Sequence, residues 1–393
     1  MSWFSNHPSI YFENARIADP VQGQVHGSLR LAHGYITGVN VAPQRGDVHF
    51  DLDNALVLPG LINAHDHLEL NNFPRLKFRP CYPNARIWSQ EVNARLDTDP
   101  AILAARAVPL GDRLFLGGLK NLLAGATTVA HHNPFYPPLR RNFPVRVVSR
   151  YGWAHSLYLS PNVAALYRRT PRRMPWLIHL AEGTDDEASG ELPILEAAGA
   201  LQANTVLIHG VGLTERQRAE TIQRGAALVW CPRSNFFLLE ATAKVSQFAD
   251  AHQLALGTDS RLTGDRDLLD ELRTARETAQ ISDAKLLCAV TNDAAKILRL
   301  RDVGSIVRGM RADLVILPKT YESVHDVLGQ IRRADLRAVI FNGTVRIADP
   351  DFTPLLHNSV RVRLDTRDKI IAPELAERHT QNAVHESGFE VED

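Results

Sequence analysis

Six polar residues stand where apolar, strand-like runs end. His65 and His67 close LPGLINAHDH, His179 and Glu182 close PWLIHLAEG, His209 closes NTVLIHG, and Asp259 closes LALGTD. Alternate side chains of a strand share a face, so His65 and His67 can point the same way while Asp66 points away. Imidazole nitrogens with a carboxylate oxygen suit zinc or another divalent transition metal. One histidine at a strand end is more often a hydrogen-bonded structural residue, and a His-x-His pair alone is ambiguous. The ordered recurrence at four strand ends is much harder to reach by accident, and it implies a metal site.

Dispersed residues of this kind meet only if their strands are parallel, because a parallel barrel carries all strand C-termini to one face. Residues 59–303 have the required texture. The runs ALVLPGLINAH, TTVAHH, PVRVVSRYGW, PWLIHL, NTVLIHG, ALVWCP and LALGTD alternate with helical patterns such as RDLLDELRTARETAQ. The alternation predicts an α/β fold, a (β/α)8 TIM-like barrel. Between Asn133 and Pro175 the chain is too short for two βαβ units of roughly 30 residues each. An irregularity around the third and fourth strands is therefore expected. Short alternating strands at both chain ends predict a β-sandwich domain made by residues 1–58 and 304–366, with a polar tail or strap over 367–393.

Composition narrows the partners. Among 393 residues, 44 Lys and Arg balance 44 Asp and Glu, which gives no global reason to expect nucleic acid or an anionic membrane. The three cysteines, Cys81, Cys231 and Cys288, support neither a disulfide framework nor a cysteine zinc site. The first residues lack a basic segment followed by an apolar one, and no apolar run approaches about 18 residues. A cytoplasmic enzyme acting on a small molecule, alone or as a homodimer, is the expectation.

Over almost its whole length the chain resembles the amidohydrolase superfamily, in its cytosine-deaminase-like and adenosylhomocysteine-deaminase-like branch. LPGLINAHDH, AGATTVAH, IHLAEGTDDE, VLIHGVGLT, WCPRSN, LGTDS, TNDAAKILRL and GSIVRGMRADLVIL carry the likeness. The resemblance implies a barrel with a sandwich built from both chain ends. It also implies His65, His67, His179 and Asp259 as metal ligands, with Glu182 and His209 beside the metal acting on substrate. Binuclear relatives often bridge two metals through a carboxylated lysine of the fourth strand. Residues 133–178 contain no Lys, Asp, Glu or Cys, so one divalent ion is expected, zinc first and ferrous iron as the alternative. Lys120, in the helical pattern before the second strand, is read as a surface residue.

The implied chemistry is hydrolytic. A divalent metal brings the pKa of a bound water from 15.7 towards about 7, yielding hydroxide at neutral pH. Asp259 would ligate the metal and take the nucleophile's proton, Glu182 would shuttle a proton to a ring or amide nitrogen, and His209 would stabilise the oxygen that develops charge. Deamination of an aminated heterocycle is the leading expectation. Hydrolysis of a cyclic amide, urea or carbamate is the alternative, and a non-catalytic superfamily member a third. Substrate contacts are sought at Trp88 in an aromatic and basic loop, at His131 and His132 after the second strand, at His155 after the third, and at Arg233 and Asn235 in CPRSN. Arg261 and Asp265 would pair with each other or face the pocket. The eight arginines between residues 133 and 178 are read as a solvated face, with steering of an anionic substrate as the alternative.

Overall fold

The computed structural model describes residues 9–20, 23–321, 327 and 329–392; residues 1–8, part of the segment read for a leader, lie outside the described residues. Five strands come first: β1 (Ile10–Asp19), β2 (Gly23–Ala32), β3 (Tyr35–Val39), β4 (Val48–Asp51) and β5 (Leu56–Pro59). Eight follow in the middle: β6 (Leu61–Asp66), β7 (Ala126–His131), β8 (Arg146–Val147), β9 (Gly152–Trp153), β10 (Trp176–Leu180), β11 (Thr205–His209), β12 (Ala227–Trp230) and β13 (Leu254–Leu256). Six close the chain: β14 (Leu314–Leu317), β15 (Ala338–Phe341), β16 (Thr344–Ala348), β17 (Val360–Leu364), β18 (Arg367–Ile371) and β19 (Phe389–Val391).

Both outer groups belong to one continuous sheet of eleven strands, joined where β5 pairs antiparallel with β14. The middle strands form two parallel sheets, β6-β7-β8 and β9-β10-β11-β12-β13. WLIHL of β10 and TVLIH of β11 are buried at every position, as parallel strands covered on both faces must be. The strand-helix alternation breaks down in the interval where the chain is short. Only a 3-10 turn, Pro137–Arg140, separates β7 from β8. The strands β8 and β9 are two residues each, and no helix lies between them among the described residues.

The first and last parallel strands meet through backbone rather than through a ladder. The N–H groups of Thr258 and Asp259 both donate to the His65 carbonyl, at 3.0 and 3.1 Å. That approach needs Gly257, because a Cβ there would lie 2.6 Å from the Cβ of His65. A second close contact is made by the helix Leu110–Leu123. A Cβ on its Gly117 would come within 2.3 Å of the Leu68 carbonyl oxygen, so glycine lets the helix axis press against the chain just beyond His67.

Residues 367–391, read as a tail or strap, form β18, the helix Pro373–Thr380 and β19. Glu386 beyond that helix is buried and binds two arginines, Arg333 and Arg261, the latter at 2.7 Å. Arg261 therefore pairs with Glu386 and not with Asp265. Asp265 takes Arg233 instead. No helix among the described residues is long and apolar enough to cross a membrane.

Gly257→Ala should lower stability by about 1–3 kcal/mol through overpacking, read as a shift in the urea midpoint, with metal content falling in parallel. A variant of wild-type stability and metal content would show that the β13 end has room to move away from His65.

Candidate metal centre

The strand C-termini bring the expected residues together. His65 and His67 leave β6, His179 lies in β10, His209 ends β11, and Asp259 follows β13. The His179 Nε2 lies 3.3 Å from the Nε2 of both His65 and His67. Asp259 Oδ1 stands 3.8 Å from His65 Nε2 and 3.7 Å from His67 Nε2. The opposite nitrogen of His179, Nδ1, donates to the His155 carbonyl at 2.7 Å, which leaves the Nε2 lone pair for the cluster. His132 also joins. Its Nε2 donates to the Ala154 carbonyl at 3.0 Å, so Nδ1 holds its lone pair. Four histidines, His65, His67, His132 and His179, each offer one nitrogen within 4.8 Å of the others.

Electrostatics separates the two carboxyl groups. Burial, then the charge of Asp259 and of Glu191, pushes the Glu182 carboxyl well above the usual range. Burial works in the same direction on Asp259, but the neighbouring His67 and His209 and the hydroxyls of Thr263 and Ser234 outweigh it and hold that carboxyl low. Burial also keeps the imidazoles neutral: those of His65, His132 and His179 fall well below 6.5, and those of His155 and His209 fall to about 4. Two carboxyl groups driven apart in this way are suited to opposite roles, one as base and one as acid. The backbone is held in the left-handed region at Ala181, His209 and Asp259, with φ of 54°, 74° and 52°. Such conformations cost of order 1–3 kcal/mol each and cluster at functional sites.

The remaining candidates divide. The His155 ring stands 4.6 Å from that of His179. His131 turns away, accepting from the Leu68 N–H and facing Glu69. Arg233 is engaged by Asp265. Trp88 sits on the helix Ala85–Asn93, not on a loop, and donates to the Leu76 carbonyl. Asn235 is fully buried and bonds His209, not the open site. Arg168, Arg169, Arg172 and Arg173 are exposed around the turn that enters β10, at the end of that strand opposite His179.

A model of the amidohydrolase family matches residues 171–346. Over those residues the chain is similar to the amidohydrolase family. It is 27% identical to the 5-methylthioadenosine/S-adenosylhomocysteine deaminase of Halobacterium salinarum, over 88% of this chain and 92% of that protein. It is 26% identical to the protein of the same name in Natronomonas pharaonis, where the match spans 45% of either chain. An adenosine deaminase from Xanthomonas campestris with bound zinc is similar in fold, with a TM-score of 0.68 and 20% identity over 86% of this chain and 92% of that one.

Behind the histidine cluster lies a polar network that sequence reasoning missed. Lys120 is not on the surface: it is completely buried, and its ammonium lies 2.9 Å from the equally buried Asp66. Asp66 also accepts from Asn71 at 2.9 Å and Asn121 at 2.8 Å. Lys120 in turn donates to Asn71 at 2.8 Å, and the same Asn71 oxygen accepts from the Arg261 N–H. The helix carrying Lys120 has an amphipathic pattern, but its small Gly117 and Gly118 belong to the packed face and bring Lys120 with them. Two adjacent glycines in a helix (a costly choice unless something must come close) were the available signal.

A second missed device sets the His209 tautomer. The Trp230 indole can only donate, and it gives its hydrogen to Thr242 Oγ1 at 2.7 Å. The Thr242 hydroxyl then donates to Asn235 Oδ1, so the Asn235 amide donates to His209 Nδ1 at 2.9 Å. His209 consequently presents an N–H at Nε2, which lies 3.5 Å from Glu182.

Lys120→Met should destabilise the fold by about 3–5 kcal/mol, because it strands the buried Asp66 charge. Adding Asp66→Asn should restore a large part of that loss in urea melts. Equal losses in the single and double variants would show that the pair is not the coupled unit.

Proposed function

We propose that this chain is a hydrolase that holds one divalent metal, zinc in the first instance, and deaminates an aminated heterocycle. The observation that carries the reading is the spacing of the histidine nitrogens. Two nitrogens on one tetrahedral zinc, each bonded at about 2.0–2.1 Å, stand about 3.3–3.4 Å apart, which matches the 3.3 Å contacts of His179 with His65 and His67. His65, His67, His179 and Asp259 would hold the ion, with His132 Nδ1 adjacent. The fourth strand offers no bridging group, since its end is Ala154 and His155, and this favours one ion. We read the eight parallel strands as a single (β/α)8 barrel over residues 59–303 and the eleven-stranded sheet as the domain made by 1–58 and 304–366.

When bound, the metal supplies Lewis acidity and makes a water nucleophilic at neutral pH. Asp259, kept ionised, accepts a proton from that water. Glu182, kept protonated, gives its proton to a ring nitrogen of the substrate and makes the adjacent carbon more electrophilic. The His209 Nε2–H donates to the oxygen that gains charge. Burial keeps bulk water from competing for these hydrogen bonds. Proton delivery to the exocyclic amine then releases ammonia. The deaminase names of the relatives agree with this order of events and favour an aminopurine as the heterocycle.

Metal analysis and an ammonia-release screen of aminated heterocycles test the reading; ring opening without ammonia would replace it with cyclic amide hydrolysis. Glu182→Gln should cut kcat by about 10²- to 10⁴-fold with metal retained, and near-wild-type turnover would remove Glu182 from the proton path. Asn235→Asp should cost about 10²-fold in kcat, because a carboxylate only accepts, which favours the tautomer protonated at Nδ1 and leaves His209 without its inward N–H. The pH profile should fall on the acid side as Asp259 gains a proton and on the alkaline side as Glu182 loses one. A profile still rising well above neutrality would contradict a protonated Glu182.

A further inference from the structure

A cavity of about 450 Å³ opens beside the histidine cluster, walled by the segment after β6, the helices Ala85–Asn93 and Pro100–Ala107, and Leu262. Two of its lining residues belong to the cluster's surroundings: Glu69, which reaches His67 through Asn133, and His155. Beyond them Ser89, Asn93, Arg106, Arg113 and Tyr136 add polar groups, and the rest of the wall is apolar. Phe73, Leu76, Trp88, Leu96, Ile102 and Leu262 pack as a hydrophobic group of their own, separate from the two main cores. An apolar group of this size that faces a cavity instead of closing on itself is a binding surface more than a core.

The polar atoms of the cavity are unevenly distributed. Glu69 Oε2, Ser89 Oγ, Arg113 Nε and His155 Nδ1 are buried and have no hydrogen-bond partner. Buried polar atoms are nearly always paired, and four unpaired ones on residues lining one cavity are groups awaiting a ligand. A heterocycle edge, with its alternating donors and acceptors, matches them. The packed group of Phe73, Leu76, Leu96, Ile102 and Leu262 offers no partner to a charged or hydroxyl-rich substituent, which would lose hydration against it without compensation.

We infer that the substrate is an aminated heterocycle carrying an apolar aryl or alkyl substituent, with its ring edge against Glu69 and His155 and its substituent in the chamber of Phe73, Leu76, Trp88 and Leu96. The inference rests on the deaminase reading only for the identity of the ring. It assigns Glu69 and Arg113 to substrate recognition, and it gives Trp88 a role as chamber wall.

Three 6-aminopurines test it on the metal-loaded protein: the unsubstituted base, its N9-benzyl derivative and its N9-carboxyethyl derivative. Calorimetry measures binding, and ammonia release measures turnover. The benzyl compound should bind about 10-fold or more tightly than the parent, from burial of a ring-sized apolar group, and the carboxyethyl compound no more tightly than the parent. Leu96→Glu should erase most of the benzyl advantage while leaving the parent's affinity within about twofold. Ile102→Trp should do the same by filling the chamber, a route that needs no new charge. A carboxyethyl compound bound more tightly than the benzyl one would overturn the inference, as would a benzyl advantage intact in both variants. The two readings separate cleanly. A benzyl preference without ammonia upholds the chamber and sinks deamination, whereas ammonia without a benzyl preference does the reverse.

Discussion

The Lys120–Asp66 ion pair lies beneath the only stretch of chain that supplies two members of the histidine cluster. Asp66 sits between His65 and His67 on β6, so its carboxylate necessarily points to the opposite face, into the protein. A charge so placed cannot be left without compensation. Lys120 and Asn121, neighbours on one helix, and Asn71, just beyond β6, surround it. Their convergence ties β6 to the helix Leu110–Leu123 and, through Asn71, to the loop that follows Asp259. The histidines are thus anchored from behind by electrostatics and from the side by the hydrogen bonds between the His65 carbonyl and the N–H groups of Thr258 and Asp259. A cluster of imidazoles kept apart only by packing would collapse or splay. This frame holds them at a spacing suited to an ion.

Much of this frame was legible in the residues. Parallel strands buried on both faces read as apolar runs, and the change to His, Glu or Asp at each run's end marked the functional face. The shortage of chain between Asn133 and Pro175 foretold the two-residue strands β8 and β9. What escaped was whatever depends on which face of a helix is inward when the packing partner is not an apolar surface. Lys120 looked like a solvent residue because its chemistry is that of one, and only the course of the helix over Leu68 reveals otherwise. Asn235 was misread for a similar reason. An amide near a pocket is as able to orient an imidazole as to touch a ligand, and nothing in CPRSN distinguishes the two without the Trp230 and Thr242 side chains that set its direction. Arg261 was read as pairing with its near neighbour Asp265 or facing the pocket, whereas its partner Glu386 lies far along the chain.

The division of labour in the site follows from dielectric more than from residue type. Glu182 and Asp259 are both carboxylic acids and both enclosed. Only Asp259 receives hydroxyl hydrogens, from Ser234 and Thr263 at 2.9 and 2.6 Å. Glu182 has burial and the repulsion of nearby acids instead. The neighbouring His67 and His209, with these two hydrogen bonds, therefore hold the charge on Asp259.

The contact between Arg261 and Glu386 joins residues 125 positions apart. Synthesis proceeds at about 5–20 residues per second, so the loop bearing Asp259 leaves the ribosome at least several seconds before the residue that fastens it. During that interval the strand ends already carry their imidazoles and the aspartate, but the aspartate's loop is tethered on one side only. The fastening of that loop to the C-terminal segment is therefore among the last contacts the chain can make.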